Sequence, residues 1–114
     1  MKITILVLAS CCSLFGEQKR ALPWEKNQQL VGQALYRENC VVCHDIDKSQ
    51  AESKKLGPSF KQLFQREKMP LANQKPSREY ITVRVRFGGA VMPAFAKKMT
   101  PAEIEMLIDY IQSK

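Results

Sequence analysis

The sequence predicts an all-α domain of about four helices, and three observations carry that expectation. Apolar residues recur at helical spacing near both ends of the segment from Asn27 to Lys114. Helix start and stop signals bracket the later segments. The single stretch with strand-like alternation, Ile81–Phe87, has no second stretch of that kind to pair with. At roughly 88 residues (27–114) the segment has the size of one small domain.

The first predicted helix runs from Asn27, a suitable N-cap, to about Glu38, with Leu30, Val31, Ala34 and Leu35 as its apolar face. Asp45–Lys55 is a polar loop, and Phe60–Lys68 after Ser59 reads as a second, short helix. Ile81, Val83, Val85 and Phe87 alternate with Thr82, Arg84 and Arg86, as in a strand. Tyr80, Val83, Arg84 and Phe87 fit a helical face equally well, with Ser77 as N-cap and Gly88 as the C-terminal stop. The absence of a partner strand decides for helix. The last helix is the clearest: Thr100 and Glu103 form a capping box, Pro101 suits the first turn, and Ile104, Leu107, Ile108 and Ile111 make the stripe.

Ahead of the domain, Lys2 precedes the uncharged apolar run Ile3–Ala9, which decays through small residues to Gly16. That pattern describes an export signal over 1–16, too short to span a bilayer as a helix, which takes roughly 17 residues or more. Leu8-Ala9-Ser10-Cys11 resembles a bacterial lipobox, in which case cleavage before Cys11 leaves a lipid-bearing N-terminus; ordinary signal-peptidase cleavage nearby is the other reading. Residues 17–26, with Trp24 among them, read as a linker arm. The expected location is therefore the periplasm or the outer face of the cytoplasmic membrane.

The chain holds 4 Cys and 1 His, which excludes metal sites built on several histidines. The chemistry concentrates in Cys40-Val41-Val42-Cys43-His44. C-x-x-C-H is the attachment pattern of a c-type haem. Thiols separated by two residues reach two vinyl groups on one porphyrin edge, and the next residue presents its imidazole to the iron. Other readings fit less well. A thioredoxin-like pair needs a strand-to-helix turn. A structural zinc site needs four ligands, and no second C-x-x-C exists. A simple disulfide loop leaves His44 unexplained.

A second axial ligand has to come from methionine, because no second histidine exists. Met1 lies in the signal and Met106 within the last helix, off its stripe. Met92 sits in the glycine-hinged loop Gly88-Gly89-Ala90-Val91-Met92-Pro93-Ala94-Phe95, which position favours; Met69 in Lys68-Met69-Pro70 is the runner-up.

With these residues in view, the segment Asn27–Lys114 resembles class I cytochrome c. Gly32 and Tyr36, eight and four residues before Cys40, match the glycine and aromatic of that family's first helix, and Tyr110 matches the aromatic of its last. Leu56-Gly57-Pro58-Ser59-Phe60 matches its Gly-Pro segment, and Met92-Pro93-Ala94-Phe95 its bacterial methionine loop. The resemblance implies a small cytochrome c fold wrapped around one haem c, held by thioethers to Cys40 and Cys43. It further implies that the Pro58 carbonyl accepts from His44 Nδ1, a bond that orients the imidazole and raises its basicity.

His44 and Met92 together would fill the iron and leave no place for a substrate, so the expected role is one-electron transfer and not enzymatic turnover. A tethered haem subunit of a larger respiratory or dehydrogenase complex is the alternative, with a five-coordinate haem enzyme or gas sensor further behind. The formal charge of +7 points to redox protein partners with acidic docking patches. Nucleic acid is not an expected partner outside the cytoplasm, and a membrane tether would run through lipid on Cys11.

Overall fold

The computed structural model describes residues 22–70 and 72–114, so the expectations for residues 1–21 lie outside the described residues. Among the described residues there are three α-helices and one 3₁₀ turn: α1 (Pro23–Asn39), η1 (Leu63–Gln65), α2 (Arg78–Phe87) and α3 (Pro101–Gln112). The architecture is all-α, as expected. None of the described helices is long and apolar enough to cross a membrane.

α1 begins four residues before the expected N-cap at Asn27. Pro23 occupies the first turn with its backbone angle already fixed, and the Glu25 carboxylate accepts from the Leu22 N–H at 2.8 Å. Residues 23–26 of the expected arm are thus helical, and Trp24 is exposed on the first turn. The buried face also differs from the expected one. Gly32 and Tyr36 are buried and Leu35 packs against the core, whereas Leu30 and Ala34 face solvent. What buries this helix is the close approach of α3, which selects the residue without a side chain.

The second expected helix, Phe60–Lys68, is reduced to the single 3₁₀ turn. Gln62 ahead of it has φ 52°, a left-handed conformation that no α-helix continues through. The count is therefore three α-helices and one short turn among the described residues, where about four helices were expected.

The ambiguous stretch is helical. Ser77 caps α2 by accepting from the Tyr80 N–H, and Gly88, at φ 70°, ends it. Its buried residues are Ile81 and Val85; of the helical face inferred from the sequence, Tyr80 packs against the core, whereas Val83 and Phe87 are exposed. α3 has the expected capping box, and Ile104, Leu107, Ile108 and Ile111 are each at most 1% exposed. It is the central element, packing on α1, α2 and η1.

The α1–α3 crossing depends on Gly32. A methyl group there would lie 2.6 Å from Tyr110 Cβ and would also overlap the Met106 carbonyl oxygen. Tyr36 extends the contact, its ring 6.0 Å from that of Tyr110 and 5.9 Å from that of Phe60. Arg78 joins α2 to α3 through Asp109 at 2.8 Å and Glu105 at 2.6 Å. These elements leave the turn after α1 and the loop before α3 to carry the remaining chemistry.

Candidate functional site

The C-terminus of α1 runs directly into the C-x-x-C-H residues. The Cys40 N–H donates to Tyr36 O at 2.9 Å, continuing the helical pattern. The Cys40 carbonyl then accepts from Cys43 N–H at 3.1 Å and His44 N–H at 2.9 Å, which folds the five residues into one tight turn. Both cysteines carry free thiols. Burial pushes the Cys40 thiol up to about 11, with neighbouring Cys43 adding to the shift. A dithiol oxidoreductase needs a thiol shifted the opposite way, toward the reactive thiolate.

His44 is 8% exposed and held on several sides. Its Nδ1 lies 2.7 Å from the Pro58 carbonyl oxygen. A carbonyl only accepts, so Nδ1 carries the proton and Nε2 presents its lone pair. Phe60 stacks on the imidazole at 4.4 Å between centroids. Burial lowers the His44 pKa, partly countered by the Pro58 bond, which keeps the ring neutral and able to bind a metal ion. The backbone of His44 is fixed as well, its carbonyl accepting from the buried Tyr36 hydroxyl at 2.8 Å.

Gly57 is where the ring fits. A methyl group there would lie 2.6 Å from His44 Nδ1 and 2.8 Å from Nε2. Only a residue without a side chain lets the Gly-Pro segment pass so close to the imidazole.

Met92 lies in the loop between α2 and α3. The Gly89 N–H donates to the Met92 carbonyl at 2.9 Å, and Phe95 and Ala96 donate to the α2 carbonyls of Val85 and Arg86 at 3.0 and 3.1 Å. Gly88 lets the loop fold back, since a methyl group on it would overlap the Met92 carbonyl oxygen. The Met92 side chain is partly buried against the core. Met69, the runner-up, is also partly buried, in a turn where its N–H donates to Gln74 O at 2.8 Å. Cys40, Cys43, His44 and Pro58 are thus brought into one cluster, and Met92 stands on a separate, firmly tied loop.

Several contributors left no signal in the sequence. The Tyr36 hydroxyl bond to His44 O is one, and the Phe60 stacking is another; both depend on contacts formed only after α1 and the Gly-Pro segment meet. A third is Lys55, whose ammonium donates to the Val41 carbonyl between the two cysteines.

The residues fit a covalently held haem. Two unpaired thiols sit one turn apart, beside a neutral imidazole with a free Nε2. Val42, Leu56 and Val91, the neighbours of Cys43, Gly57 and Met92, are 83%, 71% and 74% exposed, each a large apolar side chain at the surface. A groove of about 470 Å³ lined by Trp24, Gln28, Asp109 and Ser113 lies at the opposite end of α1 and takes no part in this cluster.

Residues 27–111 match the family model described as cytochrome c oxidase, cbb3-type, subunit III. No curated protein and no solved structure gives a match. The matched span contains the C-x-x-C-H turn, the Gly-Pro segment and the methionine loop, and it joins them in the all-α frame described above. The chain therefore belongs to that family of c-type cytochromes, domains that carry a covalently bound haem c and transfer electrons between redox proteins.

Proposed function

We propose that Cys40 and Cys43 hold one haem through thioethers, that His44 Nε2 and the Met92 thioether are its axial ligands, and that the protein carries single electrons between periplasmic or membrane-associated partners. The haem supplies the one-electron couple. The observation that carries this reading is the 2.7 Å bond from His44 Nδ1 to the Pro58 carbonyl beside two free thiols. That bond fixes the ring, leaves Nε2 as the donor and raises its basicity. Phe60 and Gly57 confine the imidazole, and Tyr36 holds its backbone. Little in this cluster has to move when the charge on the iron changes, which suits rapid transfer.

A thioether opposite an imidazole favours the reduced state. The ties from the Met92 loop to Val85 and Arg86 support Met92 in that role, because they hold the loop on the end of α2. Absorption spectra in both redox states test the ligand set. The reduced protein is expected to give a c-type spectrum, and the oxidised protein the weak long-wavelength band of a methionine–iron bond. Met92→Ala should abolish that band; a band that survives rules Met92 out and turns attention to Met69.

The family description names an oxidase subunit, which favours a second reading: a tethered haem subunit of a larger complex. The signal over 1–16, with Cys11 as a lipid-bearing residue, would place such a subunit at the outer face of the membrane. Mass spectrometry of the mature N-terminus distinguishes lipid on Cys11 from ordinary cleavage. Recovery of a stable complex from detergent-solubilised membranes would favour the subunit over a diffusing carrier.

A further inference from the structure

The segment following the polar loop runs beside the C-x-x-C-H turn and ties to it repeatedly. Gly57 N–H donates to Cys43 O at 2.7 Å, and Phe60 N–H to Asp45 O at 2.7 Å, on either side of the His44–Pro58 bond. A further tie is made by a charged side chain. The Lys55 ammonium donates to the carbonyl of Val41, in the two-residue spacer between the cysteines. The same ammonium pairs with Asp45, the residue after His44, at 3.2 Å. Asp45 is held in turn by the Ser53 hydroxyl, which donates to its other oxygen at 2.9 Å. The pair is partly buried, with side chains 31% (Lys55) and 13% (Asp45) exposed.

We propose that Asp45, Ser53 and Lys55 form a charged clasp on the haem-attachment turn, in which Lys55 is a positioning residue for the Val41–Val42 spacer and the two opposed charges act in opposite directions on the reduction potential of the haem, each balancing the other. The inference rests on the proposed attachment at Cys40 and Cys43 with His44 as ligand. Its physical basis is simple. Reduction adds an electron to the haem, so a fixed cation beside the turn stabilises the reduced state and a fixed anion opposes it. Charges screened from water act more strongly than surface ones. The ion pair is nearly neutral as a whole, so each member hides the effect of the other.

Potentiometric titration of the haem-loaded protein tests this. Lys55→Met is expected to lower the midpoint potential, and Asp45→Asn to raise it. The double variant should return toward the wild-type value, and Lys55→Arg should stay near it. A clasp that acts only by holding the loop would shift Lys55→Met and Asp45→Asn in the same direction, since each breaks the same pair. That result, or no shift in either variant, overturns the proposal. Should Lys55→Met load too little haem to titrate, Asp45→Asn and Lys55→Arg decide: an upward shift in the first with none in the second supports the clasp, and no upward shift in the first overturns it. Covalent haem in the wild-type protein, seen as haem stain surviving denaturing electrophoresis, is measured alongside. Its absence overturns the attachment reading itself, whereas its presence with unshifted potentials overturns only the clasp.

Discussion

At the residue scale, the cluster around His44 is set by groups whose roles can be separated by substitution. Gly57→Ala places a methyl group against the imidazole ring, 2.6 Å from Nδ1. Overpacking of this kind costs about 1–3 kcal/mol. The expected result is a lower unfolding midpoint together with, under the proposed ligation by Met92, a weakened methionine–iron band, since the ring has to tilt; a variant that keeps both would show that the Gly-Pro segment has room to shift. Tyr36→Phe removes the bond to His44 O and leaves a buried carbonyl unpaired, at about 1–3 kcal/mol. The Tyr36 hydroxyl also makes a pH prediction. Burial, with the Asp45 charge adding to it, pushes its pKa from 10.0 up to about 12. The raised value means that the folded state retains the proton while the unfolded state loses it. The associated stability is therefore present below pH 10 and is lost as pH rises from about 10 toward 12. Thermal unfolding across that window should show a steeper alkaline loss in the wild type than in Tyr36→Phe.

At the element scale, the α1–α3 crossing and the capping of α3 dominate. Gly32→Ala gains about 1 kcal/mol in helix propensity but meets Tyr110 Cβ at 2.6 Å and the Met106 backbone. Backbone on the far side does not yield, so net destabilisation of about 1–3 kcal/mol is expected, read as a drop in the denaturant midpoint. Thr100→Ala removes the side-chain acceptor from Glu103 N–H and half of the capping box, for about 1 kcal/mol. α3 was legible to the residue because its cap, its proline and its stripe all lie within a dozen consecutive positions. α2 was legible through Ser77 and Gly88, although its buried face was not, since periodicity alone does not say which side a neighbour will cover. The shortness of η1 is not legible in the sequence, because Gln62 takes a left-handed conformation that its residue type does not announce. The early start of α1 is hidden in the sequence, because Pro23 and Glu25 serve as a start signal without a polar cap at Leu22.

At the scale of the whole molecule, the basic balance of the chain bears on encounter with partners. Lys and Arg number 18 against 11 Asp and Glu. Lys97 and Lys98, which follow the methionine loop, are exposed. If a redox partner presents an acidic patch, electron-transfer rates are expected to fall with rising ionic strength, because salt screens the attraction that speeds encounter. Stopped-flow transfer to an acidic partner at increasing salt measures this; a flat profile would remove charge steering from the account.

The sequence by itself determined the helical class and named the candidate attachment residues and ligands, because C-x-x-C-H, the Gly-Pro pair and the methionine loop are local patterns whose spacing carries their meaning. Only the tertiary structure decided how those residues are held. The Pro58 bond was implied by resemblance, but the Phe60 stacking, the Tyr36 hydroxyl and the Lys55–Asp45 clasp join residues 8 to 16 positions apart in the chain. No local periodicity encodes such pairings. They exist because α1 and α3 cross closely at Gly32 and the segment 53–60 folds back along the turn, and both are consequences of packing the whole chain at once.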